Sequence, residues 1–189
     1  MDLIAGIQTD LPRGLYSALS AYRHEIFVGM LGWELNTHYG YEQDQFDRSD
    51  TIYVVAKGDG GRITGCARLL PTTQPYLLGE VFPELLNGLK PPSSPDVWEL
   101  SRFAAVDLAN ASRSAHGQMS SPEAVELLQG AIRTAASLGA KQLITVSPIG
   151  IERLLRYAGF RAHRAGPPKM VGRHALFACW IEVDAASLA

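Results

Sequence analysis

Val97-Trp98-Glu99-Leu100-Ser101-Arg102-Phe103 places an acid, a hydroxyl and a guanidinium inside a run that otherwise has the apolar composition of a buried β-strand. Burying a polar group without a hydrogen-bond partner costs about 2–7 kcal/mol, so charge in such a strand needs a reason. A structural ion pair at a strand end is the simplest explanation. A reaction site on a central strand is the alternative, and the rest of the sequence favours it.

Regular elements are predicted on both sides of this strand, which we place at 97–106. The β-rich runs 51–57 and 62–70 flank Gly58-Asp59-Gly60-Gly61 and predict an antiparallel hairpin. Apolar residues at helical spacing predict a helix over 13–31. Further patterns predict a loop at 89–96, a loop at 110–120, a helix at 121–138, a strand at 142–146, a helix at 149–157 and a strand at 176–183.

This order of elements predicts the α/β (α+β) class, with a mixed twisted sheet flanked by helices in a single domain over residues 1–189. A length of 189 residues with 47% hydrophobic content suits one domain with a sizeable core. Two cysteines indicate no disulfide framework and a reducing compartment. The sequence contains no signal-peptide pattern and no apolar run near 18 residues. We therefore expect a cytoplasmic protein with no membrane partner.

Charge is unevenly distributed along the chain. The net charge of −2 argues against a nucleic-acid partner. Residues 130–175, however, contain eight Lys or Arg and one acid, Glu152. A solvated basic face is the usual explanation, and an acidic partner or a phosphate-bearing ligand is the alternative. The five histidines have no ligand spacing, so no metal site is predicted.

The predicted order of elements is similar to the fold of the GCN5-related N-acetyltransferases. Those enzymes usually hold the pyrophosphate of coenzyme A on an Arg/Gln-x-x-Gly-x-Gly/Ala turn between the central strand and the next helix. The corresponding loop here, 110–118, lacks that glycine spacing. We expect this loop to bind a coenzyme A pyrophosphate poorly.

A closer resemblance rests on five segments in order. They are YRHEIFV at 22–28 followed by Gly32-Trp33, YEQDQFD at 41–47, GCARLLP at 65–71, LGEVF at 78–82 and WELSRF at 98–103. Together they resemble the acyl-homoserine-lactone synthases of the LuxI-type autoinducer-synthase family over most of the chain. The resemblance implies an acetyltransferase-type fold. It also implies acyl transfer from an acylated carrier protein to the amine of S-adenosylmethionine, followed by lactone closure and release of methylthioadenosine. S-adenosylmethionine is then a substrate, and no cofactor is expected.

The resemblance also implies functional positions. The catalytic positions fall on Glu99, Ser101 and Arg102. The S-adenosylmethionine positions are Arg23, Phe27, Trp33, Asp44, Asp47, Arg68, Phe82 and Phe103. Aromatic faces suit a sulfonium, and an arginine suits the carboxylate of the substrate. Core packing and surface ion pairs are the alternatives for these residues, although Arg68 lies in an apolar run and needs carboxylates such as Asp44 and Asp47.

Acyl transfer needs a base, because an α-amino group with a pKa near 8 is mostly protonated at neutral pH. Glu99 is our candidate, acting directly or through one water, with a pKa that burial raises. A backbone N–H or the Ser101 hydroxyl would stabilise the oxyanion. Strand alternation would put Glu99, Ser101 and Phe103 on one face and Arg102 on the other, so the site requires a bulge or a splay.

The C-terminal half supplies candidates for the two remaining tasks. Acyl-pocket candidates, all equally explained by core packing, are Leu100, Phe103, Met119, Leu143, Thr145, Val146, Ile149, Leu154, Leu155 and Phe177. Carrier-docking candidates are Lys141, Arg153, Arg156 and Arg164, because acyl carrier proteins are acidic.

Two other functions stay open at this stage. One is a general N-acyltransferase using acyl-coenzyme A and a small amine, against which the missing pyrophosphate turn argues. The other is a non-catalytic sensor, which would be expected to have lost Glu99 or Arg68.

Overall fold

The computed structural model describes residues 1–109 and 121–183. The strands are β1 (Asp2–Gly6), β2 (Thr37–His38), β3 (Tyr41–Glu42), β4 (Ile52–Lys57), β5 (Ile63–Pro71), β6 (Val97–Ala105), β7 (Gln142–Pro148), β8 (Ala162–Arg164), β9 (Lys169–Val171) and β10 (His174–Glu182). The α-helices are α1 (Leu15–Arg23), α2 (Leu77–Val81), α3 (Pro122–Ser137) and α4 (Gly150–Tyr157). A π-helix, His24–Met30, continues α1, and 3-10 turns cover Asp59–Gly61 and Pro83–Leu86.

A mixed sheet organises the chain, as predicted, and it contains eight strands. Its order is β1-β4-β5-β6-β7-β10-β8, with β9 also paired to β10. The pair β6–β7 is parallel, and the other neighbouring pairs are antiparallel. A parallel pair needs a crossover connection, which α3 provides. The predicted β4–β5 hairpin and central strand β6 are both confirmed.

Several elements differ from the sequence-based prediction. The helix expected over 13–31 starts at Leu15, and after Arg23 it becomes a π-helix, which adds one residue to the turn and is frequent at functional sites. Short elements such as β1, α2 and β9 are not predicted, because three to five residues are too few to show a periodicity. The predicted loop at 110–120 lies outside the described residues.

Helices cover both faces of the sheet, as expected. On one face, α3 and α4 pack on a core that includes Leu100, Leu143 and Phe177. On the other face, α1 and the π-helix pack on Tyr53, Val55 and their neighbours. A third cluster lies around α2 and the strand residues Leu70 and Ile144. Among the described residues, no helix is both long and apolar enough to serve as a membrane span.

The centre of the sheet is irregular in two ways. Strands β6 and β7 pair with each other from Val97–Gln142 to Leu100–Thr145. Both strands continue beyond that point but no longer pair with each other, so they splay apart. Against β5, the pairing shifts between Cys66–Ala104 and Arg68–Ser101, so two residues of β6 oppose one of β5. This is a β-bulge, and its residue Arg102 has a left-handed φ of 50°.

Candidate active site

The bulge in β6 decides which side chains reach the site. Arg102 joins the face of Glu99 and Ser101, where it contacts Glu42 and Asp44. Phe103 is turned to the opposite face and packs against the α3 core. The expectation that Phe103 lies on the same face as Glu99 is therefore wrong. The bulge that the site requires is present.

Three arginines and three carboxylates form a closed ring of alternating charge, which we call the charge ring. Its arginines come from the end of α1, from β5 and from the bulge, whereas its acids come from the segment 42–47. In order around the ring the members are Arg23, Glu42, Arg102, Asp44, Arg68 and Asp47.

Short ion pairs close the charge ring on both sides of Arg68. Its Nη1 lies 2.6 Å from Asp44 and 3.2 Å from Asp47, which confirms the predicted partners. Asp47 lies 2.8 Å from Nη1 of Arg23. The other half runs through Glu42, whose oxygens lie 2.5 Å from Nε of Arg23 and 2.9 Å from Nη2 of Arg102. Arg102 Nη2 also lies 2.8 Å from Asp44.

Burial of the charge ring is nearly complete, which is tolerable only because each charge has two opposite neighbours. The side chain of Asp44 is 15% exposed, against 3% for Asp47 and 0% for Glu42. Burial alone would raise the pKa of Asp47, but the hydrogen bond and charge of Arg23, with the charge of Arg68, lower that pKa well below its usual range. Asp44 is thus the ring carboxylate most accessible to a ligand.

The ring bears on one expected role. All three nitrogens of Arg23 and of Arg68 donate to carboxylates or to Ser101, and both side chains are only 1% exposed, so this geometry does not favour them as partners of a substrate carboxylate. Arg102 differs, since its Nη1 has no acceptor among the described residues.

Glu99 is fully buried beside α2. Its Oε1 accepts from the backbone N–H of Leu78 at 2.6 Å, and its Oε2 accepts from that of Leu77 at 3.0 Å. Burial raises the pKa of Glu99 to about 7, although these hydrogen bonds and the charges of Arg68 and Arg102 oppose the rise. A carboxylate with this pKa can exchange a proton near neutral pH.

A cavity of about 760 Å³ opens where β6 and β7 splay. Its floor includes Ser101 and Arg102, and one side includes Asp44. Glu99 is not among the lining residues. The lining does include Leu77, whose backbone N–H binds the Glu99 carboxylate, and Ser101, which lies two positions after Glu99 on β6. The volume lies within the roughly 300–1,000 Å³ of small-molecule sites.

Aromatic rings form a second side of the cavity. Trp33 and Phe82 line it, and Trp33 stacks on Phe27 with 5.0 Å between the ring centroids. Phe27 itself is buried behind Trp33, under the Arg102 guanidinium at 5.6 Å. Sequence reasoning misses Phe46, which also lines the cavity and lies 5.8 Å from the Arg68 guanidinium.

Comparisons with known proteins agree with this geometry. The family model described as autoinducer synthase matches residues 10–189. The chain belongs to the autoinducer synthase family. This synthase is an acyltransferase that makes acyl-homoserine lactones. A relative from Acinetobacter nosocomialis, named acyl-homoserine-lactone synthase, is 58% identical over 97% of this chain and 100% of that protein.

Solved structures place the synthase in the same group. TofI, in a ternary complex with an inhibitor and MTA, is 42% identical with a TM-score of 0.84, covering 100% of this chain and 96% of that chain. The CoA-dependent synthase BjaI, with SAM and isopentyl-CoA, is 27% identical with a TM-score of 0.84, covering 98% and 84%. An acyl-CoA N-acyltransferase from Pseudomonas aeruginosa, 16% identical with a TM-score of 0.61, shares the fold and confirms the acetyltransferase-type architecture.

The expected acyl-pocket residues of the synthase divide into several environments. Val146 lines the cavity, Ile149 is 46% exposed, and Thr145 is buried with its hydroxyl 3.0 Å from that of Ser147. Met119 lies outside the described residues. The remaining candidates pack in the α3 and α4 core, on the face of the sheet opposite the charge ring, namely Leu100, Phe103, Leu143, Leu154, Leu155 and Phe177.

The expected docking residues of the synthase are all exposed but differ in pairing. Lys141 pairs with Asp96 at 2.8 Å before β7, and Arg164 pairs with Glu152 at 2.6 Å. Arg153 and Arg156 lie on the exposed side of α4 and form no ion pair with a described residue. Of these four candidates, the two α4 arginines are therefore the ones without a competing carboxylate in the described part of the chain.

Proposed function

We propose that the 760 Å³ cavity binds S-adenosylmethionine and that the enzyme acylates its amine from an acylated carrier protein before closing the lactone. One observation carries this proposal. An accessible carboxylate, an arginine nitrogen and an aromatic side meet in a single cavity, at the point where the two central strands separate.

The amino-acid end of S-adenosylmethionine would lie on the cavity floor. Asp44 is the ring carboxylate with exposed surface, so it is suited to accept from the substrate ammonium. Arg102 lines the cavity, and its Nη1 is suited to donate to the substrate carboxylate. Because the charge ring is neutral in sum, a zwitterionic group meets a complementary pair rather than an excess of one sign.

The sulfonium would lie against the aromatic side. A cation over an aromatic face gains about 0.5–2 kcal/mol, depending on desolvation. Trp33 is held in place by its stacking on Phe27, and Phe82 lines the same cavity. This contact favours the sulfonium substrate over its neutral thioether analogues.

Glu99 would remove the proton that prevents the amine from attacking. With a pKa of about 7, a substantial fraction of Glu99 is ionised near neutral pH, and that form is able to take a proton through a water near Ser101. The amine then forms a C–N bond with the thioester carbonyl, the C–S bond breaks, and the carrier thiol leaves with a proton. Ser101 Oγ accepts from Arg68 Nε at 3.0 Å, so its own hydrogen can be donated to the oxyanion.

Lactone closure needs positioning rather than a further base. The substrate carboxylate attacks its own γ-carbon, the bond from that carbon to the sulfonium breaks, and neutral methylthioadenosine leaves. A cavity that holds carboxylate and sulfonium at fixed places favours the folded conformation in which this occurs.

The donor we favour is an acylated carrier protein in the cytoplasm. The exposed arginines of α4 and the basic region 130–175 suit the acidic surface of such a carrier. Acyl-coenzyme A is the second candidate, because BjaI has the same fold and is a CoA-dependent synthase.

One incubation tests the proposal. Purified enzyme is mixed with S-adenosylmethionine and either an acylated carrier or the matching acyl-coenzyme A, and products are followed by mass spectrometry. We expect lactone and methylthioadenosine in equal amounts, with higher kcat/KM for the carrier. Methylthioadenosine without lactone, or neither product over a range of acyl lengths, would refute it.

A further inference from the structure

The turn between β9 and β10 forms part of the cavity rim. Gly172 takes a left-handed φ of 57° there, and Val171 to His174 line the cavity. Two contacts hold this hairpin over the site. Lys169 Nζ donates to the carbonyl of Glu84 at 2.5 Å, and the His174 ring lies edge-on to Trp33 with 6.5 Å between centroids.

Arg173 is an exposed residue of this turn, between Gly172 and His174. It lines the cavity, yet it forms no ion pair with any described carboxylate, Glu34 of the same lining included. The other arginine of the lining, Arg102, is already paired with Glu42 and Asp44. Arg173 therefore presents a guanidinium that is unpaired among the described residues, at the exposed turn of the lining and outside the charge ring.

We propose that Arg173 binds the phosphate of the acyl donor's phosphopantetheine arm. This inference rests on the proposed function, since it assumes that a thioester enters this cavity. The thioester end must reach the amine near Ser101 and Asp44, so the phosphate at the other end of the arm stays near solvent. A guanidinium fork suits that anion, whereas the carboxylate of S-adenosylmethionine is served deeper in the cavity by Arg102.

Arg173→Gln tests the assignment with three donors that carry the same acyl group, namely an acylated carrier, acyl-coenzyme A and acyl-pantetheine, which lacks the phosphate. A lost charge-assisted hydrogen bond corresponds to roughly a 10- to 100-fold effect. We expect the KM of the two phosphate-bearing donors to rise about tenfold or more. The KM of acyl-pantetheine and of S-adenosylmethionine should change by less than about twofold, and Arg173→Lys should be intermediate.

Arg133→Gln is the matched control, because Arg133 is exposed on α3, which packs on the other face of the sheet. An equal effect of Arg173→Gln on all three donors, or no effect on any, would overturn the inference. A binding measurement separates this result from a failure of the proposed function. Phosphopantetheine should bind the wild-type enzyme more tightly than pantetheine, and this difference should vanish in Arg173→Gln whether or not lactone is formed.

Discussion

Arg102 lies on the same face of β6 as Glu99, which precedes it by three residues. Strict alternation would place the two side chains on opposite faces. The bulge that brings them together has a specific contact from the neighbouring strand. Cys66 Sγ donates to the carbonyl oxygen of Arg102 at 3.2 Å. Burial raises the pKa of Cys66 to about 12, so this side chain stays a protonated donor at neutral pH. The thiol thus stabilises the backbone that presents Arg102 to the charge ring.

Replacing Cys66 should therefore weaken the site more than it weakens the core. Cys66→Ala loses a hydrogen bond of about 0.5–1.5 kcal/mol next to the bulge, so we expect kcat/KM for S-adenosylmethionine to fall several-fold. Cys66→Ser keeps a donor and should retain most activity. The control is Cys179→Ala, since Cys179 is equally buried on β10 and packs in the opposite core. Equal activity losses in Cys66→Ala and Cys179→Ala would contradict a role for the thiol in the bulge.

Trp33→Leu should remove the preference for a sulfonium. The variant keeps an apolar side chain but loses the π face, so binding of S-adenosylmethionine should weaken by about 0.5–2 kcal/mol. Binding of S-adenosylhomocysteine, which has a neutral sulfur, should change much less. Calorimetric titration of both ligands gives the comparison. A parallel loss for the two ligands would show that Trp33 acts through shape alone.

Opening the charge ring should cost far more than breaking an exposed ion pair. Asp47→Asn leaves Arg23 and Arg68 buried without full compensation, and we expect a loss of about 3–5 kcal/mol in the free energy of unfolding. Glu152→Gln breaks the exposed pair with Arg164, which solvent screens, and should leave the free energy of unfolding nearly unchanged. Urea denaturation at neutral pH measures both. Similar losses in the two variants would mean that the ring has no special energetic role.

The pKa of Glu99 predicts a pH dependence that Glu99→Gln should abolish. Activity of the wild-type enzyme should rise with an apparent pKa near 7 as Glu99 ionises, whereas the variant should be slow at every pH and bind S-adenosylmethionine within a few-fold of the wild type. A variant that keeps the rise would exclude Glu99 as the base.

Stability gives an independent measure of the same group. The folded pKa of Glu99 lies above its ordinary value of 4.5, so its contribution is fully present below pH 4.5 and is lost as pH rises through about 7. Over that interval the wild-type protein should lose on the order of 3 kcal/mol relative to Glu99→Gln. Glu99→Gln also places an N–H₂ group against the N–H of Leu77 or Leu78, which lowers its stability at all pH values alike. Only the change with pH therefore reports on the ionisation of Glu99.

Sequence reasoning finds those parts of the fold and site that local patterns determine. The β4–β5 hairpin follows from its glycine-rich turn, and the partners of Arg68 follow from the high cost of an unpaired buried charge. The bulge is different, because it depends on how Cys66 and Arg68 register against β6. The same limit applies to Arg23, because its partners Glu42 and Asp47 lie on a separate segment whose position against α1 is set by the tertiary fold.

The residue-by-residue roles show a similar division. Glu42 belongs to a segment that resembles the family, yet nothing in its local sequence distinguishes it from an exposed acid, and the structure buries it between two arginines. The apolar C-terminal residues pose the reverse problem. Leu143 and Val146 are both apolar residues of the same predicted strand, but Leu143 packs in the α3 core whereas Val146 lines the cavity.

The charge ring joins regions of the chain that are remote in sequence, since its members come from positions 23, 42–47, 68 and 102. Each carboxylate bridges two arginines, so a substitution at one position leaves unmatched charge at two others. Among natural sequences, we therefore expect members of the charge ring to change together with their neighbours in the ring. A design that enlarges the cavity would therefore have to replace all six members of the charge ring together or keep all of them.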